Sequence, residues 1–422
     1  MEIGPILRAI RRNKARFGLI AAEVALTLAV VVNCVALIGD ARRKMAHPSG
    51  FDDDNLLTVD SSPFGEAFKE ATYRKHALDA DLATMRATPG VRAAMNTRFV
   101  PWGGGGSSGE LKQVGSAGPL MRTQQYSVDE GLIDTLDLRL IEGRQFTRQE
   151  VDRYTQQLND LFASERPRGP DGHPKDKFLQ EIVISRAFAE KVFGKAPSYL
   201  GKMLEDSDTD QYRVIGVIDE FFNPYPWPID EDVIFFANLG SSYEGGSRYL
   251  VRTEPGKAAG MVRTLEDTLS KLNDQRTVRV QRMTEIKQNF FGPQRVMTWL
   301  MGLVVALLVL VTGLGIVGIT SFLVTERTRQ IGTRRALGAR MVDILRYFLL
   351  ENWMVTTIGI LVGVGLAIGL NVALLTVIEG ARVGPGVIIA GAVLLWLIGL
   401  GSALVPALRA ARTSPAVATR SV

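Results

Sequence analysis

The apolar positions of this chain are gathered at its two ends. Phe17 to Ile38 is a run of 22 residues interrupted by Glu23 and Asn33. Trp299 to Val324 and Trp353 to Ile378 are runs of 26 residues each without a charge, and Val387 to Leu408 adds 22 more. A helix rises about 1.5 Å per residue, so roughly 20 apolar residues cross a hydrocarbon layer about 30 Å thick. Backbone polar groups in lipid must be satisfied within the segment, so these runs predict helices rather than strands. The pattern predicts membrane crossings at 17–38, 299–324, 353–378 and 387–408. Before the first, Ile3, Ile6, Leu7 and Ile10 recur at helical spacing while Arg8, Arg11 and Arg12 point elsewhere. That spacing predicts a short amphipathic helix over residues 1–16, lying in the membrane interface.

Between the first two crossings the periodicity changes. Asn55 to Asp60 reads as a strand, Tyr73 to Ala87 as a helix stopped by Pro89-Gly90, and Val91 to Val100 as extended. Glu181 to Ser185 is a strand and Arg186 to Phe193 a helix. Tyr212 to Asp219 is a strand ending in the aromatic, Pro-rich run Phe221 to Pro228. Ser247 to Thr253, Lys257 to Leu272 and Thr277 to Arg282 read as strand, helix, strand. The polar, turn-rich stretch 150–180 reads as a surface insertion. The expectation is a membrane protein with one helix, an α+β domain of two lobes over 39–298, and three further helices.

Composition alone would mislead. A hydrophobic share of 46% and a charged share of 22% resemble a soluble protein. The segregation excludes a purely soluble globule, a disordered chain and a uniform membrane bundle. The net charge of +5 does not point to nucleic acid, because the excess basic residues flank the apolar runs. Residues 1–16 carry five basic residues against Glu2, and 325–352 carries six against Glu326, Asp343 and Glu351. The tail 409–422 carries Arg409, Arg412 and Arg420 and no acid, whereas the last hairpin has only Glu379 and Arg382. The positive-inside rule places both termini and the 325–352 loop in the cytoplasm and the 39–298 domain outside. The first apolar run exceeds a signal-peptide core and lacks a clear small-x-small cleavage site, so it is expected to remain as an anchor. Val32-Asn33-Cys34 is a poor lipidation box, and Glu23 sits near the expected cytoplasmic headgroups.

Candidate chemistry is sparse. One cysteine, Cys34, excludes an intramolecular disulfide, and three scattered histidines make a zinc site improbable. Asp52-Asp53-Asp54 and Glu205-Asp206 with Asp208 and Asp210 lack the spacing of a calcium loop. The run Trp102 to Gly109 lacks the Lys-Ser/Thr of a phosphate-binding loop, and no G-x-x-x-x-G-K-[ST] occurs anywhere. No catalytic, cofactor or metal residue is therefore assigned.

The informative motif lies after the second long run: Thr325-Glu326-Arg327-Thr328-Arg329-Gln330-Ile331-Gly332-Thr333-Arg334-Arg335-Ala336-Leu337-Gly338-Ala339. It resembles the cytoplasmic loop of MacB/FtsX-type ABC transporter permeases, the mechanotransmission class, whose signature is close to E-R-x-R-E-I-G-x-R-R-A-L-G-A. Glu181-Ile182-Val183-Ile184-Ser185, Ala189, Phe193-Gly194, Gly201-Lys202 and Val214-Ile215-Gly216-Val217 resemble the family's outer domain. Pro406-Ala407, Arg409-Ala410-Ala411-Arg412 and Ser414-Pro415-Ala416 resemble its ending. Gln330 stands where the family has Glu, and Thr333 where it has an aliphatic residue.

The resemblance implies a stand-alone, non-catalytic permease subunit of the inner membrane, coupled to a separate cytoplasmic ABC ATPase dimer that binds ATP and magnesium. It implies a second permease copy or a homologous permease, and an assembly reaching to a periplasmic adaptor and an outer-membrane channel. The coupling residues it implies are Glu326, Arg327, Arg329, Gln330, Gly332, Arg334, Arg335, Gly338, Ala339, Arg340 and Asp343. The second crossing is expected to continue as helix to Leu337, Gly338 to stop it in the left-handed conformation, and a short helix to follow at Met341–Phe348. Gly359 and Gly363, then Gly365 and Gly369, form small-xxx-small pairs for helix packing. Export of a substrate from the periplasm or outer leaflet is the expected function. Control of a cell-wall hydrolase as in the FtsX branch, lipoprotein extraction as in the LolC/LolE branch, and a membrane-anchored receptor without an ATPase remain alternatives.

Overall fold

The computed structural model describes residues 14–103, 106–163, 178–208, 210–222, 232–237, 246–377 and 382–412. The expected amphipathic helix falls largely on residues 1–13 and so lies outside the described residues, as do most of Phe221–Pro228, Glu379 and Ser414–Ala416. The chain divides into a membrane unit (Met1–Met45 with Gln294–Val422) and an outer unit (Ala46–Pro293).

In the membrane unit, α1 spans Lys14–Ala46. It outruns its apolar core because Asp40 to Met45 still favour helix, and it stops before His47-Pro48, where proline disfavours helix in the preceding residue. The second crossing is α8, Gly292–Glu326. After a break at Arg327 (φ −98°, ψ 10°) comes the short α9, Thr328–Ala336. The third and fourth crossings are α10, Met341–Val377, and α11, Pro385–Ala411. Two expectations are corrected here. The second crossing does not run unbroken to Leu337, and the segment Met341–Phe348 is not a separate helix but the start of α10.

Glycine lets these helices approach. A Cβ at Gly359 would lie 2.8 Å from the Ala21 carbonyl oxygen, and one at Gly363 would lie 2.9 Å from that of Ala25. At Gly391 a Cβ would lie 2.9 Å from the Val32 side chain, so α1 beds against both α10 and α11. The bedded face is Ile20, Val24, Leu28 and Val32, all buried at i, i+4 spacing. Gly365 and Gly369, by contrast, meet nothing within 4 Å in this chain. A few hydrogen bonds join the helices. The Thr27 and Thr312 hydroxyls are 2.7 Å apart. Asn33 Nδ2 donates to the Ala29 and Ala367 carbonyls, and Asn352 Nδ2 to that of Gly399. Glu23 does not sit by itself near the α1 terminus: its carboxylate lies over the backbone of Gly315, where a Cβ would come 2.6 Å from Oε2.

These contacts order the ends of the bundle. Arg16, at the start of α1, pairs with Glu326 at the end of α8 (2.5 Å). The end of α11 and the start of α10 pack on α9 at the same end. Asn33, Asn371 and the Val383 backbone meet at the other. The start of α1, helix α9 and the end of α11 thus share one end of the bundle.

The outer unit is built on two sheets. One contains β1 (Leu56–Pro63), β2 (Val91–Asn96), β10 (Ser247–Thr253) and β11 (Arg276–Arg282) in the order β11-β1-β10-β2, all antiparallel. Helices α2 (Ala71–Ala87) and α6 (Ala258–Leu272) cover one face of it. The other sheet contains β3 (Ser107–Gln113), β4 (Met121–Val128), β5 (Leu140–Gly143), β6 (Leu179–Ser185), β7 (Met203–Glu205), β8 (Gln211–Ile218) and β9 (Val233–Ala237). Its order is β5-β8-β6-β9-β4-β3-β7, and β7 also pairs with β8, so six of its strands close into a ring. The short α3 (Leu132–Leu136) precedes β5, α4 (Arg148–Ala163) follows it, α5 (Arg186–Phe193) follows β6, and α7 (Met283–Phe290) ends the unit. The two lobes share one core. Phe51, Trp102, Tyr126, Phe221 and Phe235 stack between the sheets at ring separations of 5.0–5.7 Å.

The supposed insertion at 150–180 is corrected over its first half, because residues 150–163 belong to α4. Its signal was present as a capping box. The Thr147 hydroxyl accepts from the Glu150 amide, and the Glu150 carboxylate accepts from the Thr147 amide. Val151 and Tyr154 then face the core. The acidic runs are structural. Asp206 Oδ1 accepts from the Asp208 and Asp210 amides in the β7–β8 turn. Asp53 pairs with Lys287 at 2.6 Å. No group of three potential metal ligands occurs among the described residues.

Candidate functional site: the α9 coupling segment

Helix α9 has two faces, and its sequence dictates both. Ile331 and Gly332 are buried, and Ile331 packs with Ile344 and Phe348 of α10 and Ala407, Ala410 and Ala411 of α11. Alanines at the α11 end allow this close approach. Arg335 turns inward as well: its Nη1 donates to the Ala411 carbonyl at 2.9 Å, satisfying a carbonyl that the end of α11 would otherwise leave open. On the other face Arg329, Gln330, Thr333, Arg334 and Ala336 are exposed. The Arg334 guanidinium lies 5.3 Å from the Tyr347 ring centroid.

The segment is tied at both ends. Arg327 Nη1 donates to both carboxylate oxygens of Glu351, at 3.0 and 3.1 Å, in a largely buried pair. That pair sits at the break between α8 and α9. Beyond α9, Gly338 has φ +97°, and its amide and that of Ala339 donate to the carbonyls of Arg335 and Arg334. A residue with a side chain would be strained there. The next helix opens with Asp343 Oδ2 accepting from the Arg340 amide, half of a capping box. Between these anchors, the tip exposes Leu337 (83%), Val342 (55%) and Met341 (47%). An exposed apolar tip rimmed by arginines is a surface suited to a partner with an apolar, acid-lined groove.

The structure therefore sorts the residues implied by the loop. Arg329, Gln330, Arg334 and Arg340 stand on the exposed side. Glu326, Arg327, Gly332, Arg335, Gly338 and Asp343 hold the segment in shape, and Ala339 completes the turn. The departure at Thr333 is accommodated locally, since its hydroxyl donates to the Arg329 carbonyl on an exposed face. Glu351, Tyr347 and Leu337 were not among the implied residues. The signal for Glu351 was a lone carboxylate opening an apolar run, which demands a partner. The signal for Leu337 was an apolar side chain beside a glycine stop.

The comparisons with known proteins agree with this layout. Residues 18–267 match the MacB-like periplasmic core domain, and residues 302–415 match the FtsX-like permease C-terminal domain. The ABC transporter permease YknZ of Bacillus subtilis is 27% identical over 299 residues, covering 69% of this chain and 68% of its own. The macrolide export ATP-binding/permease protein MacB of Bdellovibrio bacteriovorus is 25% identical over 98% of this chain and 60% of its own. MacB of an Azoarcus strain is 33% identical over 50% of this chain and 33% of its own. The chain thus spans between a third and 60% of the length of these two MacB relatives. The crystallised periplasmic region of MacB from Actinobacillus actinomycetemcomitans aligns over 58% of this chain and 97% of its own, at 16% identity and TM-score 0.35, and adds nothing to the family match. With four apolar helices long enough to cross a membrane among the described residues and an α/β domain between the first two, the chain belongs to the MacB/FtsX-type permease family, carrying a MacB-like periplasmic core domain and an FtsX-like permease C-terminal domain.

Proposed function

We propose that this chain is the membrane subunit of an ABC export machine and acts as a lever rather than as a pore. A separate cytoplasmic ATPase pair, holding ATP and magnesium, docks on the exposed face of α9 and on the Leu337–Val342 tip. Closure of that pair displaces α9. The Arg327–Glu351 pair and the Ile331 contacts pass the displacement to α8, α10 and α11, and α8 leads by chain connection into the outer domain. Two permease copies, identical or homologous, stand over the ATPase pair. The outer domains handle substrate beyond the inner membrane, with a periplasmic adaptor and an outer-membrane channel downstream. Both termini and α9 face the cytoplasm in this reading.

The observation that carries it is the split of α9 into a face built into the bundle and a face of arginines and bare apolar side chains. The family match and the names of the MacB relatives support export. The test is co-purification in gentle detergent from the native host. The pair Arg334→Glu and Leu337→Asp should remove the ATPase while the chain still inserts in the membrane. Undiminished recovery of the ATPase would refute the docking face. Orientation is checked on a Cys34→Ala background. Leu337→Cys should react with an impermeant maleimide only after lysis, and labelling in intact cells would overturn the reading.

A further inference from the structure

A cavity of about 300 Å³ opens on the face of the four-stranded sheet opposite α2 and α6. Its wall is a pair of directly opposed strand residues, Asp60 on β1 and Arg248 on β10. They are bonded through a single contact, Arg248 Nε to Asp60 Oδ1. The two terminal guanidinium nitrogens and Asp60 Oδ2 have no partner among the described residues, and the Arg248 and Asp60 side chains keep 40% and 31% of their surface open. Arg279, the other cross-strand partner of Asp60, does not line the cavity. The floor is apolar: Trp102, Val100, Ile286 and Phe290.

Trp102 is held at this floor against its backbone preference. Its φ is +56°, a conformation that a bulky side chain rarely adopts. It is kept there by the Val100–Gly103 turn, by stacking on Phe51 at 5.0 Å and by the Lys287 ammonium 4.5 Å from the ring. Backbone strain of this kind clusters at ligand sites.

We infer that this cavity binds a small zwitterionic amphiphile, of which an apolar α-amino acid is the minimal member. The Arg248 fork takes its carboxylate, Asp60 Oδ2 takes its ammonium, and Trp102 and Phe290 receive its apolar side chain. A bare anion would lie beside Asp60 and a bare cation beside Arg248, each repelled by the neighbour it cannot use. A ligand with both charges completes both groups with charge-assisted bonds. The volume sits at the lower end of small-molecule sites and fits such a ligand. This site is independent of what docks on α9, and it stands or falls without any ATPase.

The test is isothermal titration of the full-length chain in detergent with three probes: L-phenylalanine, 3-phenylpropanoate and 2-phenylethylammonium. L-phenylalanine should bind at least tenfold more tightly than either singly charged probe. Asp60→Asn and Arg248→Gln should each weaken it at least tenfold, and Arg248→Gln should leave 2-phenylethylammonium binding no weaker. No saturable binding of L-phenylalanine, equal affinity for all three probes, or variants that bind it as the wild type does would each overturn the inference. If either variant misfolds, the comparison of the three probes on the wild-type chain decides by itself.

Discussion

Two buried ion pairs, one in each unit, do opposite work. In the outer unit Arg276 grips Asp81 with both terminal nitrogens; both side chains are at most 2% exposed. The Ser61 hydroxyl and the Leu269 carbonyl also accept from Arg276, and the Tyr249 hydroxyl donates to Asp81. This network locks β11 to α2 and α6. In the membrane unit Arg327 offers Glu351 one nitrogen only, at a break in the helix. A single-nitrogen contact can swivel where a two-nitrogen fork cannot. The outer unit is stiffened by its charges, whereas the membrane unit is articulated by them.

Removing the acid from each pair measures the difference. Asp81→Ala should destabilise by about 3–5 kcal/mol, because Arg276 is left charged where water cannot reach it. Glu351→Ala should cost only about 1–2 kcal/mol, because the long Arg327 stem can carry its charge to the membrane surface. Chemical unfolding in detergent, with hydrogen exchange read at β11 and at α9, separates the two. Equal losses would mean that the second pair is a lock too.

A second large effect is expected in the outer unit alone. Asp129 is fully buried, and burial, reinforced by Glu130, raises its pKa from 3.8 to about 7. The Asn96 and Gly131 amides and Arg86 pull the other way. A carboxyl raised on folding contributes stability that is complete below its unfolded pKa and is lost as pH rises through the folded one. The outer unit should therefore weaken between about pH 4 and pH 8, by up to ~4 kcal/mol. Asp129→Asn should flatten that slope. Glu150 acts in the opposite sense. The two-pronged bond from Arg144 and the Thr147 cap lower its pKa to about 2, so its contribution is present above pH 4.5 and fades as pH falls through about 2. A melting temperature that rises from about pH 4 to pH 8 would contradict the assignment for Asp129.

How much of this was readable differs between the units for the same physical reason. Long apolar runs leave helices as the only solution, so the crossings were legible, and the loop motif marked α9. The break at Arg327 was not legible, because the partner that draws the side chain away, Glu351, lies 24 residues on. In the outer unit β6 and α5 were plain, since Glu181–Ser185 and the Ser185 cap are local signals. Strand β4 was hidden: its Thr123 and Gln124 are buried polar residues, satisfied by distant groups such as the Asp232 carbonyl. Polar strands whose partners are remote cannot be recognised from alternation. The Asp60–Arg248 pair was invisible for the same reason, being made by strand register alone.

Glycine sharpens the comparison at a smaller scale. Gly363→Leu would drive a side chain into the backbone of α1 at Ala25, and should cost about 1–3 kcal/mol in bundle stability. Gly365→Leu points into open space in this chain and should be near neutral for the folded protomer. Loss of stability in both variants, measured by detergent-titrated unfolding, would show that the α10 face at Gly365 is packed as well.

The smallest effect is the most diagnostic for how the bundle is held. Thr27 and Thr312 share one hydroxyl–hydroxyl bond, and both are buried. Thr27→Val keeps the shape and removes the bond. In a membrane the separated helix is not left wanting, because the hydroxyl can turn to a carbonyl of its own preceding turn. The change should therefore cost only about 0.6 kcal/mol. The corresponding bond in the outer unit, from the Thr123 hydroxyl to the Asp232 carbonyl at 2.7 Å, has a chain exposed to water as its reference. Thr123→Val removes the hydroxyl bond but leaves the Gln124 amide donating to that carbonyl, and should cost about 1 kcal/mol. If Thr27→Val cost as much as Thr123→Val in parallel unfolding titrations, the membrane unit would be fixed by polar bonds in the manner of the outer one. The swivel at Arg327 would then have no pliant bundle to move.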